Sequence, residues 1–173
     1  YDYQEYLKIT RTKLVDKAID EICKNKKPTE KDIINLVYIV KNGHEYDHKK
    51  DFNVDEMSLL LAAQKHNIWF QYDEKTHRWF KDEEDGHCLK QCLSTEIDDL
   101  LWDIKITEET KAKDAKDNHF LKSWFEFRCK ALDQCREKCD TASGNEQLMK
   151  MAKTKFTVPR DKFFRKLDEN AFL

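Results

Sequence analysis

HCLKQCLSTEIDDLLWDIKITEETKAKDAKDNHFLKSWFEFRCKALDQCREKCD, residues 87–140, decides the fold: it opens on Cys88-x-x-x-Cys92 and closes on Cys135-x-x-x-Cys139. Residues four apart on an α-helix lie one above the other, so each pair lines two thiols along one face. Apolar residues recur at helical spacing in both halves: Ile97, Leu100, Leu101 and Ile104 after the first pair, Phe120, Trp124, Phe127 and Ala131 before the second. Between them lies the polar run Lys111-Ala112-Lys113-Asp114-Ala115-Lys116-Asp117-Asn118. The stretch is expected to form a long antiparallel helical hairpin. With arms of equal length, Cys88 faces Cys139, Cys92 faces Cys135, and the tip falls near residues 113 and 114; Cys23 is left for Cys129. Thr107 is a competing helix cap that would move the turn earlier.

Six paired cysteines point to an oxidising compartment, where disulfides persist, and hence to a secreted, extracellular protein. Six buried, reduced thiols are the plainer alternative. Zinc is a third, but structural zinc sites favour tight Cys-x-x-Cys loops over thiols four apart on a helix. Other connectivities of the six cysteines stay open.

Outside the hairpin the chain is also helical in character. Three glycines and two prolines accompany 38% charged residues, and at this length the chain buries about 70% of its unfolded surface, enough for one core. The reading is all-α: a disulfide-stapled helical bundle forming a single helical domain over residues 1–173, and a monomer. A first helix is expected over Tyr3–Lys24, with Leu7, Leu14, Ala18 and Ile22 on one stripe and Val15 and Ile19 beside it. Thr29 caps a second helix, with Asp32 at its third position and Asn42-Gly43 at its end. Asn53 is expected to cap a third, burying Met57, Leu60 and Leu61. Residues 68–80 alone have strand character: Ile68, Phe70 and Tyr72 alternate, Asp73-Glu74-Lys75-Thr76 resembles a turn, and Trp79-Phe80 follow. A short β-hairpin is expected there, an extended aromatic loop being the alternative. Ser143-Gly144 is expected to end the long helix before a short one near residues 147–155, and Pro159 to sit in the first turn of the last.

A net charge of −2 gives no nucleic-acid footprint, and no apolar run approaches membrane-spanning length. The chain starts at Tyr1 with neither a charged n-region nor an apolar h-region, as expected of a mature or trimmed protein. His44-Glu45-Tyr46-Asp47-His48 matches the His-Glu-x-x-His pattern of zinc proteases, in which two histidines one helical turn apart bind the metal and the glutamate activates water. Gly43, however, ends the preceding helix, and no third ligand follows at the required spacing. The match is expected to be accidental, with a weak metal site at His44, His48 and Asp51, or a small zinc hydrolase built on residues 44–48, as the alternatives. No phosphate loop or nucleophile elbow is present, so neither enzyme activity nor a cofactor is expected.

Trp102 and Trp124 are expected in the core between the stapled helices. Trp69, Phe70, Tyr72 and Trp79 either roof the core, the favoured reading, or form a partner-binding surface or a box for a small apolar ligand. The segment from Lys150 to Lys166 is basic; Lys162 and Lys166 in particular offer attraction to acidic proteins, anionic glycans or lipid headgroups.

The opening Tyr1-Asp2-Tyr3-Gln4-Glu5-Tyr6, the Lys/Glu-rich helices and the late Cys-x-x-x-Cys pairs resemble the 34-kilodalton secreted salivary family of culicine mosquitoes. That resemblance implies a non-enzymatic salivary protein that acts by binding a host or mouthpart (cuticle) protein. The run Cys88-x-x-x-Cys92…Cys129 also resembles the central cysteines of insect odorant-binding proteins. This second resemblance implies the pairs Cys23–Cys92, Cys88–Cys135 and Cys129–Cys139, and a carrier of a small hydrophobic ligand; the positions of Cys23 and Cys135 depart from the usual spacing.

Overall fold

In a computed structural model of the chain, the structure describes residues 2–46, 57–63, 68–82 and 85–171, with Leu60, Ala62, Ala63, Arg160, Lys166 and residues 168–171 described by backbone only. Helix α1 (Tyr3–Cys23) starts where the Asp2 carboxylate accepts from the Glu5 N–H. Thr29 caps α2 (Glu30–Asn42) by accepting from the Asp32 N–H. Gly43 ends that helix at φ 80, a left-handed conformation that glycine adopts without strain.

The chain is mostly helical, as expected, and the described residues include four short strands, so its sheet is larger than the one hairpin expected. Strands β2 (Ile68–Asp73) and β3 (Arg78–Asp82) form the expected hairpin, its turn tied by Asp73, which accepts from the Lys75 N–H and the Thr76 hydroxyl. Where a third helix was expected, Leu59–Ala63 forms β1; the expected cap, Asn53, lies outside the described residues. Strand β1 pairs antiparallel with β2 and parallel with β4 (Thr157–Pro159), giving the sheet order β3-β2-β1-β4. The Asn42 side-chain oxygen accepts from the Ser58 and Leu59 N–H groups, tying the start of β1 to the end of α2. A short apolar run fits a buried helix or a central strand equally well, and here two strand partners decide it.

Helix α3 (His87–Cys92) continues through a π-helical stretch, Leu93–Ile97, into α4 (Asp98–Asp114). After a turn at residues 115–118, α5 (His119–Asp140) runs back antiparallel, so the long helical hairpin is present. Helix α6 (Ala142–Phe156) begins earlier than expected, because Thr141 caps it by accepting from the Gly144 N–H; Ser143 and Gly144 thus lie in its first turn. Pro159 ends β4, just before α7 (Arg160–Ala171). The core joins Ile22, Ile33, Val37, Leu59, Leu61, Trp69, Leu93, Leu132, Leu148, Phe156 and Phe163, drawing on α1, α2, the sheet and the later helices.

All six cysteines are free thiols, so the expected staple is not formed. The register explains this. Arg136 Nε donates to Asp98 at 2.9 Å and Arg128 Nη2 meets Glu108 at 3.1 Å, which sets the facing positions of α4 and α5. Counting back from Asp98 to Cys92 carries the facing position past Asp140, where α5 ends, and Cys88 lies further still. The tip is correspondingly later than residues 113 and 114, and the wider π-helical turn rotates the α3 thiols relative to α4. Cys92 instead contacts Glu96, while Cys135 and Cys139 hydrogen-bond to each other.

Candidate functional site

Of the aromatic side chains in segment 68–80, Trp69 and Phe70 are buried, Tyr72 and Trp79 half-buried and Phe80 exposed. Trp69 is 1% exposed and packs on Phe156, with ring centroids 5.7 Å apart. Phe70 is also buried, against Phe163 at 4.7 Å, and Trp79 meets Phe163 edge-on at 5.1 Å while packing at a tilt against Tyr72 at 5.4 Å. The amphipathic helix α7 thus fills the aromatic box with its own phenylalanines. Lys162 is exposed, and the Lys166 side chain lies outside the described residues. Within the same basic stretch, the Lys155 ammonium sits 4.1 Å from the Tyr46 ring centroid, and burial followed by repulsion from Lys31 lowers its pKa.

His44 and Glu45 follow the glycine that ends α2, so the described half of the His-Glu-x-x-His match is not helical. His44 packs edge-on against Tyr38 at 5.5 Å, and the Glu45 carboxylate is paired with Lys17 at 3.0 Å instead of facing a metal. His48 and Asp51 lie outside the described residues. Among the described residues, no group of three or more His, Cys, Asp or Glu side chains could hold a metal ion, and no helix is long and apolar enough to cross a membrane.

Cys23, Cys88, Cys92, Cys129 and Cys135 are poor nucleophiles. Burial pushes Cys23 up to about 11 and Cys92 to about 12; burial and then the Asp82 carboxylate push Cys88 to about 12; and burial followed by Glu109 and Glu108 pushes Cys129 to about 11. The hydrogen bond to Cys139 and then burial raise Cys135 too. A thiolate is the reactive form, and at neutral pH these five groups are thiols.

The two tryptophans expected in the core are the exposed ones. Trp102 is 44% and Trp124 46% exposed, and Phe120 reaches 78%. Helical spacing placed Phe120, Trp124, Phe127 and Ala131 on one stripe, but only Ala131 is covered; the first three belong to the half of α5 nearest the hairpin tip. A periodic stripe identifies a face, and burial of that face requires a neighbour along its whole length.

Trp124 is nonetheless held in place. The Arg128 guanidinium lies 4.8 Å from its ring centroid, and Phe125 meets it edge-on at 4.9 Å. Arg128 is itself fixed by Nε and Nη2 donating to Glu108 and by Nη1 donating to Asp20, linking α5 to α4 and α1. Beside Trp124, between α1, α4 and α5, opens a cleft of about 410 Å³ whose walls include Asp16, Ile19, Ile104 and Thr107. The arrangement is a preorganised aromatic ridge beside a cleft whose walls also carry Asp16, Asp20, Glu108 and Lys111. Sequence reasoning missed it because the anchoring residues Asp20, Glu108 and Arg128 lie on three helices. Their one local signal is a charged residue, Arg128, beside an otherwise apolar stripe. The chain matches no protein-family model and no curated protein.

Proposed function

We propose that this chain is a secreted, non-enzymatic binding protein that acts by contact with another protein, using the Trp124 ridge and its adjoining cleft. The observation that carries the reading is the exposure of Phe120, Leu121, Trp124 and Phe127 together on one half of α5. Large apolar side chains grouped on a surface mark docking sites more often than chance, and a tryptophan held in a fixed rotamer costs little entropy to bury. The Arg128 brace supplies that rigidity. Delivery outside the cell, and action on a host or cuticle protein as in the salivary family, rest on the sequence resemblance.

Affinity capture from the native secretion with the wild-type chain and with Trp124→Ala tests the reading. A partner retained by wild type and lost by a variant that stays folded, its melting temperature lowered by no more than about 2–4 °C, supports it. Equal recovery of every captured protein by both forms would overturn it.

A further inference from the structure

On the other side of the helical hairpin from Trp124, a groove of about 850 Å³ runs along the seam of α4 and α5. Its floor includes the buried, apolar Ala112 and Cys129. One end is electrically closed, because Lys105 is neutralised by Asp133 at 3.0 Å and Glu109 at 3.5 Å. Towards the tip the balance changes. Lys113, Lys116, Lys122 and Lys130 line the groove, all exposed and none ion-paired among the described residues, and only Glu126 opposes them. The nearby Asp114 and Asp117 do not line it.

We infer that this groove is a second docking surface and that it takes an acidic amphipathic helix of a partner protein. An apolar floor under a cationic rim matches a helix with one apolar stripe flanked by carboxylates. Lys122 and Lys130 are eight residues apart on α5, roughly 12 Å along its axis, the rise between carboxylates two turns apart on a docked helix. A sulfated glycan would satisfy the lysines but would leave Ala112 and Cys129 covered by polar groups, so the floor favours the peptide. The lysines speed encounter and the floor slows release. The proposal shares with the contact reading only the premise that this protein works by binding, and it stands or fails separately from the Trp124 ridge.

The test uses the intact chain and fluorescence anisotropy with four probes: a Leu/Glu amphipathic helical peptide with carboxylates at i, i+4 and i+7, its Leu/Lys twin, a Gly/Glu peptide of equal charge, and a short heparin fragment. We expect the Leu/Glu peptide to bind at least tenfold more tightly than the other three. Binding should weaken at least tenfold in Lys122→Glu/Lys130→Glu and fall further as salt rises. Equal affinity of the double variant for the Leu/Glu peptide would overturn the proposal. So would equal binding of the Gly/Glu peptide, which makes the floor irrelevant, or tighter binding of heparin, which assigns the groove to glycans. If the native partner is lost on Trp124→Ala while the peptide ignores the charge reversal, the contact reading survives and the groove does not. The reverse result overturns the ridge alone.

Discussion

Raising the pH of the reduced protein from about 8 to about 10 should loosen it measurably, through thiols that the fold holds in their neutral form. The ordinary thiol value is 9.0, and burial holds Cys23 near about 11, despite the opposing pull of Arg128, and Cys92 near about 12. Folded pKa values above the unfolded ones mean that the native state binds these protons more tightly. The associated stability is therefore complete below about pH 9 and is lost as pH rises through the window up to the folded values. At about pH 10 the unfolded thiols are mostly ionised and the folded ones are not, a difference of about 1.4 kcal/mol for each group. Cys23 and Cys92, both buried, together account for about 3 kcal/mol. With a urea dependence of about 2 kcal/mol per molar, the unfolding midpoint should fall by more than about 1 M. The assay is urea unfolding at both pH values under a non-thiol reductant, for wild type and for Cys23→Ala/Cys92→Ala. The double variant starts less stable and should lose distinctly less on alkalinisation. Equal losses in the two proteins would refute the reasoning, since other titrating groups would then account for the whole effect.

Arg128→Met should cost about 3–5 kcal/mol in urea unfolding, because it leaves the buried Glu108 carboxylate without its partner; adding Glu108→Leu should recover much of that loss, and a double variant no better than the single would argue against the pairing as the cause. Trp69→Ala should cost about 3–5 kcal/mol by emptying a site packed against Phe156, whereas Trp124→Ala should cost about 1 kcal/mol; reversed magnitudes in thermal melts would restore the core assignment of Trp124.

Local signals were readable where they were self-contained. Thr29 and Gly43 bound α2 through hydrogen bonds and dihedrals within a few residues, and the polar run around Lys111–Asn118 located the hairpin turn. Long-range choices were not readable. Leu59–Ala63 is a strand because β2 and β4 lie on either side of it, and β4 is nearly a hundred residues away. The equal spacing of the two cysteine pairs suggested a register that the π-helical stretch and the later tip do not allow, and no local rule marks Leu93–Ile97 as a wider turn. The tryptophans exchanged roles for a related reason. The apolar stripe correctly grouped Trp124 with Phe120 and Phe127, but whether another helix covers that half of α5 depends on the lengths of all the others.

The parallel pairing of β1 with β4 has a consequence for synthesis of the chain. Strand β1 emerges from the ribosome with β2 and β3 soon behind it, yet its second edge is closed only when Thr157–Pro159 arrives, after α3 to α6 have been made. Until then the apolar Leu59–Ala63 presents unpaired backbone groups, the kind of edge that recruits other chains. A nascent chain stalled or cleaved between α6 and β4 retains every helical contact up to Phe156 and still exposes that edge. Three residues that follow α6 thus complete the sheet, and truncation just before them, which also removes α7, is expected to give an aggregating species that keeps the helicity of α1 to α6.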